Sequence, residues 1–163
     1  MENGQRPSHP GVYAVFVKRA DCLRGIGVPP NGLLYIGYAS NLGQRNHFLV
    51  AHSGFNTLRR SIGAILKSDL GLAAIRRGSG PSASNYGCYR FTDDGEARLS
   101  RWMIDNLDYS DHRVDGDLRR LEAQLIREHE PPLNLTGWPN PQKRSISALR
   151  KGCSEEARLS GPD

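Results

Sequence analysis

Two short runs near the start of the chain alternate their side chains as strands do. Residues 11–17 read GVYAVFV, so Val12, Ala14 and Phe16 face one way and Tyr13, Val15 and Val17 the other. Residues 33–37, LLYIG, form a second such run. The turn signal Pro29-Pro30-Asn31-Gly32 precedes it, and the connection is longer than a tight hairpin needs. The simplest arrangement is an antiparallel pair. Residues 86–91, YGCYRF, read as a third strand, and a brief extended piece is expected over 111–115.

The spacing elsewhere is helical. Ser40 or Asn41 can cap a helix over 41–50, which Gly43 weakens by about 1 kcal/mol relative to alanine. Asn56 or Thr57 caps a helix over 57–68, carried by Leu58, Ile62, Ile65 and Leu66. Arg59 and Arg60 at its start oppose the helix dipole, as suits either a nearby phosphate or a solvated face. A helix over 94–107 packs through Leu99, Trp102, Met103 and Leu107. The last clear helix covers 116–130 and stops at Pro131-Pro132. A short helix is expected near 145–151. Residues 76–85 read as a flexible basic loop, 1–9 as a flexible N-terminus and 154–163 as a disordered tail. One domain over 10–153 is expected between those ends.

Composition narrows the function classes. The chain has 163 residues, 37% apolar and 24% charged, with a formal charge of +5. That length fits a domain with a real core, and the charge permits a nucleic-acid partner without requiring one. No apolar run approaches the roughly 20 residues that span a bilayer, and no amphipathic lysine-rich helix suggests a membrane surface. No signal peptide is expected after Met-Glu-Asn-Gly-Gln-Arg. Cys22, Cys88 and Cys153 are scattered and odd in number, which reads as free thiols in a cytoplasmic protein. The five histidines lack the spacing of a zinc site.

The candidate chemistry begins in the last clear helix. Leu118, Leu121 and Leu125 form its apolar stripe, and Glu122 shares that face. A buried carboxylate needs a partner or a metal. Glu122 either serves that need or reaches solvent at the rim, or pairs with Arg119 or Arg45. Asn134, just past the double proline, has the ordinary alternative of bonding to backbone in a turn. Tyr13 and Tyr35 have that of packing rings in a core, and Arg45 that of a solvated helix residue.

Taken together, the set resembles the GIY-YIG nuclease family. The likeness lies in Gly11-Val12-Tyr13, Tyr35-Ile36-Gly37, Arg45 in NLGQR, Glu122 in LEAQLI and Asn134 in PPLN, and covers about residues 10–135. TLRRSIGAIL, residues 57–66, is similar to a segment of a bacterial subgroup. The resemblance implies an α+β fold, a small three-stranded antiparallel sheet flanked by helices with the site at the sheet surface. It implies a metal-dependent DNA endonuclease. Glu122 would bind one Mg2+ or Mn2+ ion, a hard cation that keeps several waters. Tyr13 would act as base with Tyr35 orienting, Arg45 would hold the scissile phosphate, and Asn134 would orient Glu122 or brace the backbone. A phenol has an ordinary pKa near 10, so either tyrosine needs activation or a relay to serve as base. Relatives often place a histidine about one turn after the arginine; here that position is Leu49, and His47 and His52 are the candidates to assist.

A DNA surface would draw on Arg59, Arg60, Arg76, Arg77, Lys143 and Arg144, with Lys67, Arg90, Arg150 and Lys151 as further cations. Contacts of that kind set affinity rather than base readout. One metal site cuts one strand at a time, so cutting both calls for a homodimer or sequential action. The competing readings are an idle nucleic-acid-binding domain on the same fold and a subunit of a protein assembly.

Overall fold

The computed structural model describes residues 8–45, 48 and 52–160. In chain order its elements are strands β1 (Gly11–Val17) and β2 (Leu33–Ala39), helix α1 (Thr57–Ile65), strand β3 (Ala74–Ile75), helix α2 (Ala83–Gly87), strand β4 (Arg90–Phe91), helix α3 (Asp93–Asn106), strand β5 (Leu107–Arg113), and helices α4 (Leu118–His129) and α5 (Lys143–Leu159). Short 3-10 turns cover Ala20–Cys22, Leu42–Gln44 and Ser53–Phe55. The architecture is α+β. None of the described helices is long and apolar enough to cross a membrane.

The chain divides into two compact units, Met1–Asn46 with Asn106–Gln142, and His47–Asp105 with Lys143–Asp163. The first holds the three-stranded antiparallel sheet, in the order β2-β1-β5. Tyr13 lies opposite Gly37 and Asp111, and Val15 opposite Tyr35 and Tyr109. Paired residues share a face, so Tyr13, Tyr35 and Tyr109 lie on one side of the sheet. A bulge between Val15 and Phe16 brings Phe16 opposite Leu33. The other side carries Ala14, Phe16, Leu33 and Ile36, which pack with Leu125 and Ile126 of α4 and with Trp138. Asp117 caps α4 by accepting from Arg120 N at 3.0 Å, and Glu130 ends it in the left-handed region at φ 49°.

The second unit contains α1, the two-stranded β3–β4 sheet, most of α3, and α5. Leu58, Ile62, Phe91, Leu99, Met103 and Ile146 are buried in it. Asn56 caps α1, its Oδ1 accepting from Arg59 N at 3.0 Å.

Several sequence expectations are corrected. The third strand of the main sheet is β5, which extends the short piece expected over 111–115. Of 86–91, Tyr86 and Gly87 close α2, and only Arg90–Phe91 is strand, paired with Ala74–Ile75. The sequence of β5, LDYSDHR, is polar because this is an edge strand, largely exposed after Leu107. In place of a helix over 41–50 there is the turn Leu42–Gln44; Asn41 makes no capping bond and donates instead to Ser8 Oγ. Residues 46, 47, 49 and 50 of that segment lie outside the described residues, as do 1–7 of the expected flexible N-terminus. Helix α5 runs far beyond 145–151. Ile146, Cys153 and Ala157 form one buried helical stripe, so residues 154–159 are helix rather than disordered tail.

Candidate active site

An open cleft of about 490 Å3 in the first unit is lined by Tyr13, Tyr35, Tyr38, Ala39, Ser40, Asn41, Gln44, Arg45 and Glu122. The two strands, the turn after β2 and helix α4 thus bring four of the expected residues to one place. Tyr13 is 3% exposed. Its ring stacks on Tyr109 with centroids 5.6 Å apart and tilts toward Tyr35 at 6.2 Å. Gly37 makes room for that ring, since a Cβ there would collide with the Tyr13 phenol. The glycine of Tyr35-Ile36-Gly37 therefore has a steric reason inside the site.

The polar groups form a directed chain. Arg45 donates to the Tyr13 hydroxyl, and the Tyr13 hydroxyl donates to that of Tyr35. Burial pushes the Tyr13 pKa far above that of a free phenol, and the nearby Tyr35 adds to this; Arg45 opposes both. Tyr35 is also raised, first by burial and then by the Glu122 charge, while Arg45 and the bond from Tyr13 favour its ionised form. Both phenols keep their protons at neutral pH.

Glu122 sits on α4 with its pKa raised by burial, partly offset by Arg119. Among the described residues no hydrogen bond or ion pair reaches its carboxylate. The alternative of a pair with Arg119 or Arg45 is therefore not realised. The Arg119 guanidinium is instead held in its charged form chiefly by the nearby Tyr38 hydroxyl. No group of three or more histidine, cysteine, aspartate or glutamate side chains among the described residues could hold a metal. A cation in this cleft would have Glu122 as its protein ligand, with water and substrate oxygen completing its shell. A lone, partly desolvated carboxylate in a polar cleft fits such an ion.

Asn134 acts on backbone. Its Oδ1 accepts from Ile36 N at 2.9 Å and its Nδ2 donates to Ile36 O at 2.8 Å. Strand β2 is at the sheet edge, and Asn134 supplies the partner its open side lacks between Tyr35 and Gly37. The Asn134 carbonyl accepts from Trp138 Nε1 at 3.0 Å and Asn140 Nδ2 at 3.0 Å, which fixes the loop in turn.

The remaining expected residues are placed differently. His47 lies outside the described residues. His52 belongs to the second unit; its Nδ1 accepts from Gly54 N at 3.1 Å and its ring meets Phe55. The assignment of Arg59 and Arg60 to a DNA surface is corrected. Arg59 is 0% exposed and donates to Glu96 Oε2 at 2.7 Å. Arg60 is buried and donates to the carbonyls of Ser53 and Gly54. Neither guanidinium is presented to solvent for a phosphate. Arg76 and Arg77 are half-buried, and Lys143 and Arg144 are exposed at the start of α5. Lys67, Arg90 and Lys151 have carboxylate partners in Glu156, Asp93 and Glu155.

The sequence reading missed Tyr38 and Tyr109, and named Arg119 only as a candidate ion-pair partner of Glu122. Arg119 precedes Glu122 by three residues on one helix, a spacing that brings side chains together. Tyr38 follows Tyr35 by three in a strand, where spacing alone points it to the other face. Tyr109 lay in a strand whose polar sequence concealed it.

A family model described as the GIY-YIG catalytic domain matches residues 11–152. No match was found among curated proteins or among solved structures.

Proposed function

The chain belongs to the GIY-YIG catalytic-domain family, and from that premise we propose that it is a divalent-metal-dependent DNA endonuclease that hydrolyses phosphodiester bonds in the Glu122 cleft. The observation that carries this reading is the partly desolvated Glu122 carboxylate, without a hydrogen-bond or ion-pair partner among the described residues, in one cleft with two linked phenols and Arg45. Glu122 would hold Mg2+ or Mn2+. Arg45 would bind a nonbridging oxygen of the scissile phosphate and stabilise the charge that grows there.

The division of labour between the phenols is the reverse of that expected from sequence. Tyr13 is deeply buried, and its proton is committed to Tyr35. It therefore serves as donor and brace. Tyr35 has two groups stabilising its phenolate, and its chief electrostatic opponent is the bare Glu122 charge. Glu122 would hold the divalent cation, whose charge would offset that of the carboxylate beside Tyr35 and favour loss of the Tyr35 proton to solvent. As the phenolate, Tyr35 would accept a proton from the water that attacks phosphorus, Arg45 would hold the phosphate in line, and the departing sugar oxygen would take its proton from solvent. Asn134 keeps β2 in register beneath Tyr35. His47 and His52 have no step in this scheme. Cleavage of both strands calls for a second copy or a second event.

Incubation of supercoiled plasmid DNA with the protein tests this reading. Nicking with Mg2+ that EDTA abolishes is the expected result. Binding without nicking in Mg2+ or Mn2+ would favour the idle nucleic-acid-binding domain instead.

A further inference from the structure

In the second unit, three buried charged side chains hold one exposed ring. The turn Ser53–Phe55 is anchored through Glu96, whose Oε1 accepts from Ser53 N at 2.8 Å and whose Oε2 accepts from Ser53 Oγ at 3.0 Å. Arg59 neutralises that carboxylate, and Arg60 Nη1 donates to Gly54 O at 2.8 Å. Burying such groups is costly, so their use on a three-residue turn calls for a reason. The turn ends in Phe55, which is 75% exposed. The Arg77 guanidinium lies 4.9 Å from the centre of its ring, and the His52 ring lies 5.2 Å away at 38°. Gly54 permits this packing: a Cβ there would meet Arg77 Cγ at 2.7 Å and His52 Nδ1 at 2.9 Å. The Arg77 head is steadied by its bond to Ser84 Oγ at 2.8 Å.

We propose that Phe55, backed by Arg77 and His52, is a stacking platform for an unpaired nucleobase of the nucleic-acid substrate. This proposal rests on the nuclease reading and names a contact outside the cleft's own residues. An exposed aromatic ring stacks on any base, and a neighbouring guanidinium attracts the attached phosphate. Arg59 and Arg90 nearby are paired with Glu96 and Asp93, whereas Arg77 has no carboxylate partner among the described residues and keeps its charge for a phosphate. The ordering cost of the turn is met within the fold, so little freedom remains to be lost on binding.

The test is fluorescence anisotropy with labelled single-stranded and duplex oligonucleotides in Mg2+, in a Glu122→Gln background to prevent cleavage. Phe55→Ala is expected to weaken single-strand binding roughly tenfold to a hundredfold. Phe55→Trp is expected to retain affinity and to show emission quenched by the bound strand, relative to the parent protein. Arg77→Ala is expected to reduce the slope of log affinity against log salt by about 0.7. Circular dichroism checks that each variant is folded. If the wild-type protein nicks DNA but Phe55→Ala binds single strands as the parent does, with no quenching in Phe55→Trp, the platform is overturned and the nuclease reading stands. If the wild-type protein neither binds nor nicks DNA, both are overturned.

Discussion

Glu122 and Glu96 are glutamates on helices with arginines in reach, one half-buried and the other fully buried, yet their bonding is opposite. Glu96 accepts from Ser53 N, Phe91 N, Ser53 Oγ and Arg59 Nη2, all at 2.7 to 3.0 Å. Glu122 has no such partner among the described residues, and the nearby Arg45 bonds to the Tyr13 phenol instead. A carboxylate whose lone pairs are all satisfied holds a fold together. One that is desolvated and left open keeps its charge for something that arrives later. Burial of an ionisable group is thus a weak guide to function, and its unmet bonding capacity a better one.

The largest expected effect separates the two on stability. Glu96→Ala strands Arg59 as an unpaired buried cation and frees the Ser53 turn, for a loss of about 3–5 kcal/mol in denaturant unfolding. Glu122→Ala removes a half-buried charge whose burial Arg119 only partly offsets, so its stability stays within about 0.5 kcal/mol of the parent. Equal losses would erase the distinction.

A smaller effect sharpens the picture inside the cleft. Tyr35→Phe is expected to slow nicking roughly 10²–10⁴-fold by removing the base. Tyr13→Phe removes one hydrogen bond to Tyr35, about 1 to 1.5 kcal/mol, and slows it only roughly five- to tenfold. The opposite ranking would restore Tyr13 as base.

The smallest effect lies in the second unit. His52 has its pKa lowered, chiefly by burial and then by Arg90, so the unfolded chain takes up the proton first as pH falls. Its contribution to stability is complete above its unfolded pKa of about 6.5 and declines as pH falls through the lower folded value. His52→Asn is expected to flatten the slope of unfolding free energy between pH 7 and 5. An unchanged slope would assign the acid sensitivity to other groups.

Strands β1 and β2 were legible because apolar alternation extends through both, and their register follows from pairing the two runs. Strand β5 was legible only at its end, as the piece expected over 111–115, since an edge strand needs few apolar residues. Glu122 stood out by interrupting a leucine stripe, a local signal. The fate of Arg59 was invisible, because Glu96 lies 37 positions away and no spacing rule connects a helix start to a carboxylate in another helix. The doublet Arg59-Arg60 read as surface charge, although both side chains are buried. Phe55 escaped notice for a similar reason, since its exposure depends on a turn fixed by distant ions. Asn134 was expected to orient either Glu122 or a backbone segment; its partner Ile36 sits 98 positions upstream and emerges only in the folded sheet.

Nicking of supercoiled plasmid by Glu122→Gln in Mg2+, with unfolding of the same preparation measured alongside, tests the central claim most directly. The open carboxylate predicts that the variant unfolds as the parent does and loses nicking by roughly 10³-fold or more, the scale of losing a main electrostatic contributor. Nicking at the parental rate by a fully folded Glu122→Gln protein would contradict it.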